Sequence, residues 1–415
     1  MSPTSKRHLS LALVGLAALV PFAASLAFAD AVDPSMPRSI VVGSPRGFAP
    51  SERLDSHRTG RSSTRLPYPP VEVWRRHISG GIEVAPLIDP QGGILLPLTV
   101  PEVLKLGPDG KELWRARLGT AAPLAPPVLT SDGTLALITS AGQAFGITPS
   151  GAIRFAVPLG IRGRDADAAP LALDDGGLVV AAGRTLLELA ADGAVRARTQ
   201  IEDRIVGALL AGPEGTLVTT DSGGVYTWRP PGAPRKIGSF GGAPRRGAAL
   251  ADARTLIAVI DGRRVVALDL PTGTTHVRSS GSGGVSAFDA PVAVSPSGLA
   301  VAATQAGLLI GLDAAGNEKL HLSLDKSPTG AAGDSSVLGG FLGVVELKPS
   351  PAVIIDPEGR IGFARAGGRV GVVGTDGAVA VASEKLCNVP VAVQPAGPRR
   401  MLVACRDGAI WMLGE

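Results

Sequence analysis

The chain has 415 residues, 45% hydrophobic and 18% charged, with a formal charge of +4. That balance belongs to a folded globular protein and excludes a disordered one. The surplus is too small and too dispersed for a nucleic-acid-binding face, so no nucleic-acid partner is expected.

The first elements are those of export. Lys6, Arg7 and His8 form a basic start, Leu9 to Val20 an apolar run, and Ala27-Phe28-Ala29 a small-x-small site before Asp30. Residues 1–29 therefore read as a signal peptide, with an uncleaved anchor as the alternative. The run is short for a bilayer span, so no membrane span is expected after cleavage. The destination is periplasmic or secreted. Residues 30–69 follow as a polar tether, expected to be flexible; Arg58, Arg61, Arg65, Arg75 and Arg76 read as a solvated stretch, with an anion-binding patch as the alternative.

From residue 70 to 415 the chain repeats. One unit runs from Pro127 to Gly160 as four short apolar runs separated by Gly-bearing turns. The Gly before the fourth run recurs at 110, 151, 193, 232, 273, 316 and 377. The opening position recurs at Pro86, Pro127, Pro170, Gly207, Gly247, Pro291, Pro351 and Pro390. Both landmarks keep a period near forty, and both show the same enlarged gap before the seventh unit. The expectation is an all-β, eight-bladed β-propeller of four-stranded antiparallel blades; seven blades would demote a well-formed unit.

The last unit stops after its third run, Ala409 to Leu413. Its missing fourth strand is expected from Val71 to Arg76, which closes the ring and removes two open sheet edges. A monomer is expected.

The enlarged gap is an insert over 326–349 between the sixth and seventh blades. It starts polar and turns apolar at Val337, Leu338, Phe341, Leu342, Val344 and Val345. It reads as a lid or extra edge strand, or as a partner-binding loop with Val337, Leu338, Phe341 and Leu342 as the contact residues.

The only cysteines, Cys387 and Cys405, lie in the last unit. A hairpin turning at Pro395 to Pro398 and centred on Ala396 would set them opposite each other as a disulfide. Two buried free thiols are the alternative. The five histidines have no metal-ligand spacing, and Asp165 and Asp167 lack the rest of a calcium loop.

Ala267-Leu268-Asp269-Leu270-Pro271-Thr272-Gly273 resembles the A-x-D-x-x-T-G core of the pyrroloquinoline-quinone-type propeller repeat. Gly110-Lys111-Glu112-Leu113-Trp114 is similar to the G-K-x-x-W that completes it, with Trp74 suiting the equivalent place in the closing strand. Thr59-Gly60-Arg61-Ser62 is similar to the stretch that precedes the first blade in such proteins. The resemblance covers residues 56–415 and implies two kinds of relative. One is the quinoprotein dehydrogenase with quinone and calcium; the other is the non-catalytic propeller of the outer-membrane protein assembly machinery.

The adjacent cysteine pair that the resemblance attaches to the quinone is missing, as is any segment like its calcium set. The expectation is therefore a non-enzymatic scaffold in the cell envelope, without cofactor or metal, that binds an envelope or secreted protein partner. Small-ligand or carbohydrate binding in the central channel is the alternative, and quinoprotein catalysis a remote one. A channel lined by Ala, Gly and Pro is expected to offer few polar groups.

Overall fold

A computed structural model describes residues 47–166, 168–244, 246–280, 287–288, 290–324, 351–365, 367–383 and 385–415. Their strands form eight four-stranded antiparallel sheets, the blades of an eight-bladed propeller. Blade one holds Leu87–Ile88, Ile94–Pro97, Glu102–Leu106 and Glu112–Arg117, from axis to rim. The innermost strands of blades two to seven are Val128–Leu129, Leu171–Ala172, Leu210–Gly212, Ala248–Leu250, Ala293–Val294 and Ile354–Ile355. Blade eight comprises Pro390–Gly397, Arg400–Cys405 and Ala409–Gly414, and its outermost strand is Val71–His77.

The ring closes as the repeat predicts. Val71–His77 runs antiparallel to Ala409–Gly414, from Val71 opposite Gly414 to His77 opposite Ala409, with a bulge between Glu72 and Trp74. The innermost strands of blades one and eight also touch.

The core lies between blades, which explains the continuous apolar runs. Successive side chains of a strand point to opposite faces. In the second strand of blade two, Leu135 and Leu137 join the cluster shared with blade one, while Ala136 and Ile138 join the one shared with blade three. Both faces are covered, so the run needs no polar alternation. Each such Leu or Ile contributes about 1.5–3 kcal/mol by leaving water.

The turn glycines do two jobs. Gly151 has φ +89°, the left-handed conformation that its hairpin turn demands. A Cβ there would also stand 2.8 Å from the Trp114 ring of the preceding blade, whose Nε1 donates to Pro149 O at 2.9 Å. Trp74 sits likewise on Gly110 and donates to Pro108 O at 3.0 Å. Gly is thus a seat for the neighbouring blade as well as a turn residue. Gly232 is the exception: its φ lies outside the left-handed region, in a turn that runs through the cis bond Pro230-Pro231.

Two expectations need correction. The polar tether foreseen over 30–69 fails for its described part, residues 47–69, which winds through the centre of the ring and is largely buried. Arg58, read as solvated, is 0% exposed. The reason is that the innermost strands present unpaired backbone groups toward the axis, and this segment satisfies them.

Cys387 and Cys405 are bonded, with Cα atoms 6.2 Å apart, but not through the expected register. Val393 faces Val403, Gln394 faces Leu402, and Cys405 faces Pro390. The turn falls at Pro398-Arg399, where Arg399 has φ +54°. Cys387 precedes the strand, so the bond ties the segment leading into blade eight to that blade's second strand.

Candidate functional site

The two ends of the channel are built differently. At the C-terminal ends of the innermost strands, residues 49–65 make a full circuit of the axis; their main-chain bonds follow the blade order, and blade three is met instead by the Arg58 side chain. Ala49 exchanges hydrogen bonds with Ile88 of blade one, and Leu129 of blade two donates to Pro50 O. Arg58 reaches Pro170 O of blade three. Ala211, Leu250, Val294 and Ile355, in blades four to seven, donate to the carbonyls of Ser56, His57, Thr59 and Gly60. Arg399 of blade eight donates to Arg65 O.

Arginines fasten this circuit. Arg58 donates from Nε to Leu209 O at 3.0 Å, from Nη1 to Glu52 O at 2.9 Å and from Nη2 to Pro170 O at 2.7 Å. Arg53 donates to Ala248 O at 2.9 Å and to Val292 O. Arg61 donates to Val294 O at 2.8 Å and Ala251 O at 3.1 Å. Guanidinium is suited to this work, because one planar group carries five donors and bridges carbonyls of separate blades. Burial pushes the Arg53 group down to about 10, against the opposing pull of Glu52 and Asp55, so it stays charged at neutral pH. Burial lowers Arg58 as well, and the same two carboxylates oppose it. The winding is tight enough to force left-handed backbone at Arg53, Leu54 and Arg58. Asp55 holds the turn by accepting from the Thr59 N–H at 2.9 Å and from the Thr59 hydroxyl.

At the N-terminal ends of the same strands the channel stays open as a cavity of about 710 Å³. Its wall includes the unit-opening positions Gly207, Gly247, Pro291, Pro351 and Pro390. The expectation of few polar groups is corrected here. Arg53, Arg204, Arg246 and Arg406 line it with Glu52, Glu83, Asp221 and Gln394. Arg406 pairs with Glu83 at 2.8 Å across the seam between blades eight and one. Glu52 and Arg53 bring the circuit itself into the lining, which makes the cavity blind at that end. The signal missed in the sequence is the position of these charges: several fall in the segments just before an innermost strand, where a propeller has its mouth.

The lining contains no aromatic residue and no cysteine among the described residues. Nor do those residues include three or more His, Cys, Asp or Glu side chains grouped to hold a metal ion. The groups present therefore do not fit the quinone and calcium of the dehydrogenases.

On the rim, six large apolar side chains stand exposed on outermost strands. They are Val71 and Val73 in blade eight, Leu113 in blade one, Ile153 in blade two, Val195 in blade three and Val277 in blade five. Each of those strands has a free outer edge. The expected contact residues of the insert, Val337, Leu338, Phe341 and Leu342, lie outside the described residues, as does the signal peptide. The insert departs after Leu324 and returns at Pro351, which lines the cavity. Among the described residues no helix is long and apolar enough to cross a membrane.

No protein-family model matches the chain. No curated protein matches it in sequence. Solved structures do match in shape. BamB from Moraxella catarrhalis aligns over 83% of this chain and 100% of its own, with a TM-score of 0.59 and 14% identity. The computationally designed Ika8 protein aligns over 83% and 99%, with a TM-score of 0.62 and 12% identity. Quinohemoprotein alcohol dehydrogenase from Comamonas testosteroni aligns over 89% and 80%, with a TM-score of 0.65 and 9% identity. At such identities the likeness establishes architecture alone: this chain has the eight-bladed propeller fold that BamB and the quinohemoprotein dehydrogenase also have.

Proposed function

We propose that the chain is a non-enzymatic, exported scaffold that docks an envelope or secreted protein on its rim. The observation that carries this reading is the set of large apolar side chains, 43–59% exposed, on the open edges of outermost strands in five blades. An open edge offers backbone donors and acceptors to a further strand, and apolar side chains beside it offer area to bury. The rest of the rim is charged: Arg115, Arg154, Arg196 and Arg235 form ion pairs there. Such a pattern resists promiscuous pairing between edges while leaving defined apolar positions. The insert over 326–349 belongs to the same proposal as a second partner contact.

Proximity labelling from the mature chain in its native envelope identifies the partner. Leu113→Asp combined with Val73→Asp is expected to abolish labelling while leaving the melting temperature unchanged, because both residues are exposed. Excision of 326–349 is expected to weaken labelling and preserve the fold. Undiminished labelling of one partner by both altered chains would remove the rim and the insert as docking surfaces.

A further inference from the structure

We infer, independently of the rim, that residues 49–65 are a latch that leaves all eight blades in one step while the ring stays folded.

The latch and the ring are held by different forces. Of residues 49–65, only Ala49 and Leu54 enter an apolar cluster. The other attachments to the blades are hydrogen bonds. Lifting the segment exchanges those bonds for bonds to water, so each contributes little net stability. Apolar burial, the term that resists opening, is concentrated between the blades instead. The closed form also carries costs. Arg53, Leu54 and Arg58 hold left-handed backbone, at φ +58°, +76° and +59°. Arg53 and Arg58 keep their guanidinium groups out of water, and Arg53 Nε has no acceptor. A segment with few buried apolar contacts and stored strain opens at a lower free energy than the whole fold.

Bonds inside the segment make that opening all or none. Leu54 N–H donates to Ser51 O at 3.0 Å, Arg58 N–H to Asp55 O at 3.1 Å and Gly60 N–H to Arg53 O at 3.0 Å. Arg58 Nη1 adds Glu52 O at 2.9 Å, so residues 51–60 form one piece. Two side chains carry that piece across four blades, Arg58 in blades three and four and Arg53 in blades five and six. It therefore cannot release one blade and keep the next. The release stops at Leu66, whose N–H donates to Asp356 Oδ2 and whose carbonyl accepts from Arg360 Nη1, both at 2.9 Å. Beyond it, Val71–His77 stays paired with Ala409–Gly414, so the ring remains closed. Because Glu52 and Arg53 belong to the cavity lining, the same step gives the blind cavity a second exit.

Native-state hydrogen exchange of the mature chain in low denaturant, resolved to single amides, tests this. Ile88, Leu129, Ala211, Leu250, Val294 and Ile355 donate to latch carbonyls from six different blades. Their protection factors are expected to coincide and to lie at least about tenfold below those of the second strands, which pair within their own blades. Arg58→Lys keeps the charge and loses the planar fork. It is expected to lower all six together by about tenfold, including Ile88 and Ile355 in blades that Arg58 does not touch. Leu137→Ala, in the core between blades one and two, is expected to lower the second strands by at least about tenfold and leave the six unmoved. Protection factors of the six that scatter blade by blade would overturn the inference. So would a loss after Arg58→Lys confined to blades three and four, or a fall of all six with the second strands in Leu137→Ala. Should Arg58→Lys fail to fold, the unaltered chain and Leu137→Ala decide between these outcomes.

Discussion

The two ends of the central channel use similar buried groups to opposite effect. At the closed end, Arg58 is wholly buried and spends its donors on three carbonyls. At the open end, Gln394 is almost as buried and its acceptor is spent on nothing. The first arrangement lowers the free energy of the fold; the second raises it. A satisfied buried group is structural capital, whereas an orphaned one at a cavity wall marks a place where stability is given up for something else.

Removing the closed end altogether should have the largest effect. A chain beginning at Pro86 loses both the circuit and the outermost strand of blade eight, leaving the edge of Ala409–Gly414 open. It is expected not to fold cooperatively, as read by calorimetry beside a chain beginning at Asp30. Equal melting temperatures would show that the circuit and closing strand are ornaments of a ring that stands without them.

Arg58→Ala comes next. It strands the carbonyls of Leu209, Glu52 and Pro170 and empties a buried volume, so a loss of about 3–5 kcal/mol is expected in denaturant unfolding. Gln394→Leu is the opposing experiment at the open end. It replaces an unpaired amide by an apolar group of similar size and should be neutral or stabilising by up to about 1–2 kcal/mol. If both substitutions destabilise alike, the contrast between the two ends is lost.

Glycine seats sharpen the point away from the axis. At Gly151 an added Cβ meets both a left-handed φ and the Trp114 ring, while at Gly377 it meets a left-handed φ of +80° and nothing within 4 Å. Gly377→Ala should cost about 1 kcal/mol and Gly151→Ala distinctly more, about 2–3 kcal/mol. The smallest effect belongs to the periphery. Despite the opposing effect of partial burial, hydrogen bonds from the Thr130 hydroxyl and the Arg154 guanidinium hold the Asp132 carboxyl well below the usual range. A depressed carboxylate stabilises the fold above the unfolded value near pH 4 and loses that contribution as pH falls. Asp132→Asn should therefore cost under about 1 kcal/mol at pH 7, the side chain being 46% exposed, and progressively less as pH falls below 4.

Much of the fold was legible because repetition writes itself into the chain. A turn glycine and a Pro or Gly at the start of each innermost strand recur for steric reasons, and Val71 to Arg76 could be matched to the strand that the last unit lacks. The circuit left no such trace. Residues 47–66 are polar and aperiodic, and the burial of Arg53 and Arg58 depends on carbonyls of distant blades, which any residue type can supply. The disulfide shows a milder failure. Pro395 reads as a chain breaker and predicts a turn there, whereas the strand continues through it to Gly397. The cavity charges were visible but unordered until the ring brought Arg53, Arg246, Gln394 and Arg406 to one mouth.

The circuit also bears on how such a ring could change over generations. Propellers grow and shrink by gaining or losing whole repeats. Here residues 49–65 form a hub that is cut to length, with the main-chain bonds to blades one, two and four to eight assigned in sequence order and blade three held by the Arg58 side chain. Duplicating one repeat would add a spoke position that the hub does not reach and throw every later contact out of step. The blade number is thereby fixed twice, once by the geometry of neighbouring sheets and once by a separate stretch of chain that counts them.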